Sequence, residues 1–198
     1  GARPESMGGA FAGVADDPNA AYWNPAGLSS IDRWSFTAMH LIWFANTMYD
    51  YLSVVAPLDN VTNFGVSGNF LYVPPYNSTG GIFQAEDAPA SYDLAITLSA
   101  ARNFGNLYTT DFTIGNISLG ANFTYISRSL LGEALTPTFS FDTGIIANIT
   151  ESFKAALVMQ DIGTSLGKDP SPFAVRLGFS QDVEFSPEFG ILLAGDIN

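Results

Sequence analysis

The sequence predicts an all-β, antiparallel transmembrane barrel with an N-terminal hatch, and three observations predict it. From Trp34 onward the chain falls into runs of about ten residues that alternate with period two, which is strand spacing. Along each run one face carries Phe, Leu, Ile, Val and Tyr while the other carries Gly, Ser, Asn, Thr and Ala. Only 13% of the 198 residues are charged, against roughly 25% in ordinary soluble domains, so the apolar faces are not matched by a surface fit for water. Small polar residues on one side and bulky apolar ones on the other are the alternation of strands that cross a bilayer. Closure follows, because an open edge in hydrocarbon leaves backbone groups unpaired.

The elements follow in order. Residues 1–33, the expected hatch, do not alternate; they are small residues punctuated by turn formers. Asp17-Pro18-Asn19 opens one short helix, and Asn24-Pro25 ends it because the residue before proline is pushed out of the helical region. Residues 34–198 are the barrel wall. Two weaker strands fit 34–46 and 50–56. The clearest strand is 63–72, where Phe64, Val66, Phe70 and Tyr72 oppose Asn63, Gly65, Ser67 and Asn69. The same pattern recurs in 91–101, with Tyr92, Leu94, Ile96 and Leu98 against Asp93, Ala95, Thr97 and Ser99, and in 117–128, with Leu119 and Phe123 against Gly120, Asn122 and Arg128. It returns in 139–150, in 172–182, where Val175 and Leu177 oppose Arg176 and Gly178, and more weakly in 153–161 and 189–196. That makes about nine strands. Trp34, Tyr51, Tyr72, Tyr92 and Tyr125 stand near strand ends, where aromatics suit the headgroup level. Short and long connections roughly alternate, with a short link at 47–49 and a long one at 102–112 as exceptions.

Composition excludes whole classes of function. Seven basic against nineteen acidic residues give a formal charge of −12, which leaves no cationic surface for nucleic acid. The absence of cysteine removes disulfides and thiolate sites, and a single histidine, His40, leaves little for zinc. No cofactor is expected, and no nucleophile with its base is visible, so the chain is not read as an enzyme. Five Asn-x-Ser/Thr sequons, at Asn60, Asn77, Asn116, Asn122 and Asn148, read as chance. The chain begins Gly1-Ala2-Arg3 without Met, as it would after loss of an export leader.

The opening segment carries a resemblance. Met7-Gly8-Gly9-Ala10-Phe11, then Ala15-Asp16-Asp17-Pro18-Asn19-Ala20 and Tyr22-Trp23-Asn24-Pro25-Ala26-Gly27-Leu28, resemble the N-terminal hatch of FadL-type outer-membrane proteins, especially their PorV/PorQ-like relatives. A later stretch, Leu157-Val158-Met159-Gln160-Asp161-Ile162-Gly163 followed by Pro172-Phe173-Ala174-Val175-Arg176-Leu177-Gly178, resembles the late strand pair of the same relatives, with Gln160-Asp161 where Gln-Asn is expected. The resemblance implies the bacterial outer membrane and a barrel of about fourteen strands around the hatch. A plug of some thirty residues does need more width than eight strands give. An odd strand count is unusual for a single-chain barrel, so the expectation is that these residues form the front of a longer chain.

The hatch motif is therefore Met7, Gly8, Gly9, Asp16, Asp17, Asn19, Asn24, Pro25 and Gly27. Candidate ligand contacts are Phe11, Tyr22, Trp23 and Leu28 as an apolar, aromatic lining, and Arg128 or Arg176 as the receiver of a carboxylate, whose geometry an arginine fork matches. Arg128, Arg176, Asp93 and Asp142 all fall on the polar face, where charge pairs that fix the wall are the plainer role. The Gly8–Gly13 glycines lack the spacing of a phosphate loop, and Asp16-Asp17 lack the ligand ladder of a calcium loop.

Three functions follow from this reading. The first is a channel for hydrophobic small molecules, by resemblance long-chain fatty acids, in contact with membrane lipid or detergent and gated by the hatch. A second, also from the resemblance, is a non-transporting barrel that serves protein partners of a secretion or outer-membrane complex as subunit or cargo shuttle. The third is a soluble extracellular β-sandwich that stacks carbohydrate on Trp23, Trp34 and Trp43, against which the exposed apolar faces count.

Overall fold

The computed structural model describes residues 1–75, 89–108, 113–163, 172–186 and 189–197. Ten strands form one antiparallel sheet: β1 (Ser35–Ile42), β2 (Met48–Pro57), β3 (Thr62–Val73), β4 (Ser91–Tyr108), β5 (Thr113–Leu130), the two-residue β6 (Glu133–Ala134), β7 (Thr138–Asn148), β8 (Phe153–Gly163), β9 (Ala174–Ser186) and β10 (Phe189–Ile197). Spatial order is chain order, except that β6 attaches to β5 beside β7. Among the described residues no ladder joins β1 to β10, which are the two edges.

Each of the nine expected strands is present. Two connections differ most from those expected, and the differences restore a regularity. β1 stops at Ile42 because a 3-10 turn over Phe44–Asn46, with φ of +53° at Ala45 and +56° at Asn46, carries the chain round. The first connection is therefore 43–47, not 47–49. β4 and β5 run on to Tyr108 and from Thr113, so four residues join them where eleven had been expected. The connections after β1, β3, β5 and β8 thus lie at one end of the sheet and hold five residues or more, while those after β2, β4, β7 and β9 lie at the other and hold four or fewer.

The two faces of the sheet invert the soluble rule, by which bulky apolar residues are buried and polar ones exposed. In β3, Asn63 and Ser67 are 2% and 6% exposed while Phe64 and Val66 are 49% and 53% exposed. β5, β7 and β9 repeat it: Asn122, Ser140 and Ser180 are buried, and Phe123, Phe139, Phe141 and Phe179 are exposed. No second sheet covers the apolar side among the described residues; the order is one continuous sheet.

What covers the small-residue face is the N-terminal segment. It contains α1 (Ala2–Ser6), α2 (Ala20–Trp23) and a 3-10 helix over Pro25–Ser30. α2 is the helix expected from the sequence, with Asn19 before it and an extended Asn24 after it. The other two had no periodic signal, being five and six residues long. Phe11, Val14, Leu28 and Ile31 of the segment pack with Val55, Ala101, Ile146 and Ala156 of the sheet in one apolar core. The segment reaches strands from β2, through Tyr51, to β10, through Asp196. A single short segment touches so many strands only if the sheet curves round it.

Tyr51 corrects an expectation. It is 5% exposed, on the inner face, and its hydroxyl donates to the Pro18 carbonyl at 3.4 Å. β2 is apolar on both faces, with Tyr51 and Val55 inward and Leu52 and Val54 outward, so its parity was not legible.

Candidate functional site

The inner face carries the N-terminal segment, tied down by side chains of several strands, and a recess toward the longer connections. Asn63 donates through Nδ2 to the carbonyls of Leu28 and, at 2.6 Å, of Ile31. Asn122 donates to Ala21 O at 2.7 Å, Ser180 to Gly13 O at 3.1 Å and Gln160 to Tyr22 O at 2.9 Å. On β10, the Asp196 carboxylate accepts from Phe11 N and Ala12 N at 3.1 and 3.0 Å. Each bond satisfies backbone that irregular structure leaves without a ladder partner.

The motif residues of the segment hold it in shape. Arg3 is clamped by Asp16 and by Asp17, the latter at 2.8 Å. Asp17 Oδ1 also accepts from Asn19 N and Nδ2 at 2.8 Å, closing the turn into α2. Asn24 donates to Ala12 O at 2.9 Å and accepts from Ala26 N at 3.1 Å, and Pro25 takes the first position of the 3-10 helix, where a missing N–H costs nothing. Gly8 and Gly9 sit at φ of +65° and +80°, which favours glycine. Gly27 lies against the Ala15 carbonyl with no room for a Cβ. Met7 packs against the core. Among the described residues no group of three or more His, Cys, Asp or Glu could hold a metal.

Of the candidate ligand contacts, Phe11 and Leu28 are fully enclosed, at 0% exposure. They pack in the core between the segment and the wall and present no surface to a ligand. Tyr22 and Trp23 differ: they stand at the top of the segment, ring centroids 5.6 Å apart and edge to face. Arg176, from β9, lies over the Trp23 ring at 4.9 Å. Burial pushes the Tyr22 phenol above its ordinary value, and Arg176 pulls the other way.

Arg128 is elsewhere on the inner face. It pairs in register with Asp93 across β4 and β5, Nε 3.5 Å from Oδ1. The pair borders a half-open recess of about 260 Å³ whose walls are Leu71, Val73, Tyr92, Leu130 and Leu135. An ion pair at the mouth of an apolar recess is a chemically sensible seat for an amphiphile head. Asp142, also inward, accepts from Asp161 N at 2.8 Å and Asn122 Nδ2 at 3.0 Å. Asp161 has φ of +58° at the irregularity between β7 and β8.

The sequence-based candidates are thus divided between two places, the Arg128 recess and the Tyr22–Trp23–Arg176 group. Sequence reasoning missed the anchors Asn63, Gln160, Ser180 and Asp196, although strand parity alone puts all four on the inner face. It also missed Met39, Tyr49 and Tyr51 as neighbours of Tyr22 and Trp23. His40 faces outward, its Nδ1 2.5 Å from Asp50 Oδ1. Asn122, one of the sequons, is buried, as a chance match would be; Asn77 lies outside the described residues.

Residues 1–164 match the family described as Uncharacterised protein family (UPF0164). No curated protein and no solved structure matches the chain.

Proposed function

The chain belongs to the uncharacterised protein family UPF0164, and we propose that it is the wall and hatch of a bacterial outer-membrane β-barrel that admits hydrophobic small molecules such as long-chain fatty acids. The observation that carries the reading is the inverted sheet. Its outer face exposes Phe36, Leu52, Val66, Leu98, Phe123, Phe141 and Leu177, among others, while the inner face buries Ser, Asn and Gly. Water is a poor solvent for such a surface, since exposed apolar patches beyond a few hundred Å² are rare on soluble monomers. Lipid is a good one. The alternation of short and long connections fits the turns and loops of an outer-membrane barrel. For transport, the support is an apolar recess on the inner face with Arg128 and Asp93 at its edge.

A second reading has a specific observation in its favour. The segment is seated by hydrogen bonds to seven strands among the described residues, which suits a plug that stays in place. A permanently closed barrel that serves protein partners of a secretion or outer-membrane complex would have such a plug.

The experiment is extraction of the natural protein from membranes in mild non-ionic detergent, followed by native mass spectrometry. A co-purifying fatty acid, displaced by added oleate and lost in Arg128→Ala, is the expected result. A ligand-free barrel that elutes with stoichiometric protein partners would overturn the transport reading in favour of the second.

A further inference from the structure

We propose that the protein has a second ligand site, an aromatic recess that takes the methylated ammonium group of a small organic cation. Between the N-terminal segment and the β1–β2 hairpin lies a cavity of about 170 Å³ lined by Tyr22, Trp23, Tyr49 and Tyr51, with Gly1, Met39, Glu5 and Asn19. A cavity of about 150 Å³ accommodates benzene, so a trimethylammonium group fits here and a long acyl chain does not.

The lining selects for positive charge. Four aromatic side chains surround a space of this size, and cations are attracted to ring faces, quaternary ammonium groups above all. The rings are fixed rather than loose. Tyr49 donates to Asn69 Oδ1 at 3.3 Å and Tyr51 to Pro18 O at 3.4 Å, and Trp23 is wedged edge-on against Phe11 and Tyr22 at centroid distances of 6.4 and 5.6 Å. Giving their protons to oxygen acceptors also leaves both phenol rings richer in electrons. Trp23 already carries one cation, the Arg176 guanidinium at 4.9 Å.

The polar groups of the recess point to the same ligand. Glu5 contributes a carboxylate, and Asn19, 5% exposed, presents a buried Oδ1 with no donor among the described residues. A methylated ammonium has no N–H to satisfy and needs only π faces and the Glu5 carboxylate. The site therefore differs in ligand class from the Arg128 recess, and it stands whether or not the barrel passes hydrophobic solutes.

The test uses the natural protein in a non-ionic detergent, with choline titrated against tryptophan fluorescence and by calorimetry. Its uncharged carbon isostere, dimethylbutanol, is the control for shape, and sodium chloride the control for ionic strength. Choline is expected to saturate and to bind about tenfold more tightly than the isostere, the margin a desolvated cation–π contact supplies. Trp23→Leu should abolish binding. Because Trp23 also packs against Phe11, the milder Glu5→Gln and Tyr49→Leu variants are tested alongside, each expected to weaken choline at least about threefold with the isostere unchanged. Equal affinity for choline and isostere, absence of choline binding, or wild-type affinity in both Glu5→Gln and Tyr49→Leu would overturn the proposal.

Discussion

Placing one methyl group on β5 tests the seat of the N-terminal segment. At Gly120, an added Cβ would lie 2.2 Å from Ala26 N, 2.2 Å from Pro25 C and 2.5 Å from Pro25 O. Relaxed contacts between such atoms are about 3.5 Å or more, so the 3-10 helix must back away by more than an ångström. All three atoms are backbone, so no side chain can swing aside to make room. The displacement also strains neighbouring bonds, Asn122 to Ala21 at 2.7 Å and Ser29 to Ser118 at 2.7 Å. Overpacking of this kind costs about 1–3 kcal/mol, and the loss of slack in those bonds places Gly120→Ala at the upper end, about 3 kcal/mol. For a chain of this size that corresponds to a fall of roughly 6–12 °C in Tm.

The control is Gly68→Ala on the outer face of β3, where the Cβ would meet only Ala95 O at 3.7 Å, an ordinary contact. It should change stability by less than about 1 kcal/mol, and in the favourable direction if anything, since alanine restricts the unfolded chain. Both variants are measured by urea unfolding in detergent, followed by tryptophan fluorescence, for which Trp23 on the segment is a local reporter. A Gly120→Ala protein as stable as Gly68→Ala would refute the seating of the 3-10 helix against β5.

Other consequences follow from single contacts. Phe123→Arg places a charge on the outer face of β5 and should cost about 2–4 kcal/mol if that face meets the bilayer core; vesicle-refolded protein indifferent to it would take Phe123 out of the membrane. Asp196→Ala strips two backbone donors, Phe11 N and Ala12 N, of their acceptor, at a cost of about 1.5–3 kcal/mol, and hydrogen exchange at those two amides should accelerate while amides of β3 stay protected. Asp59, in the turn between β2 and β3, is held below the ordinary carboxylate range chiefly by the Val61 N–H, with Thr62 N–H adding to it. A depressed folded-state value means its contribution is complete above the unfolded pKa and is lost as pH falls through the folded one; NMR titration should find the Asp59 carboxyl below free aspartate, and Asp59→Asn should remove that acid-side dependence.

The fold was legible where a strand's two faces differ in chemistry and illegible where they do not. β3 alternates Asn63, Gly65 and Ser67 with Phe64 and Val66, so its inner face could be read from the sequence. β2 presents apolar residues both ways, and Tyr51, expected at the headgroup level, lies buried on the inner face. The ends of β4 and β5 escaped notice because Asn103, Gly105 and Asn106 read as turn residues, whereas they sit in register irregularities inside a continuing ladder. The segment was visible as a non-alternating block and α2 by its flanking prolines, yet its contacts depend on sequence separations of 100 residues and more, such as Asn122 with Ala21. Local periodicity carries no information at that range. Arg128 and Arg176 were correctly placed inward, but that one would border an apolar recess and the other cover an indole could only come from three dimensions.

How firmly the segment is seated bears on how anything could pass it. At least ten hydrogen bonds among the described residues join it to the sheet. At a net value of about 1 kcal/mol each, lifting the whole segment costs on the order of 10 kcal/mol before its apolar contacts are counted, so the open form would be about one molecule in ten million. A moving hatch therefore has to move locally, at the Tyr22–Trp23 end, with the 3-10 helix left in place. The chain has no cysteine, which makes the test clean. Ser29 and Ser118 have their hydroxyls 2.7 Å apart, close to the roughly 2 Å of a disulfide, so Ser29→Cys with Ser118→Cys should oxidise readily and pin the 3-10 helix to β5. Loading with a fluorescent long-chain fatty acid is then compared in the oxidised and reduced protein. Equal loading in both states is the expected result. Loss on oxidation with recovery on reduction would mean that the whole segment leaves its seat, and that the hydrogen-bond count overstates what holds it.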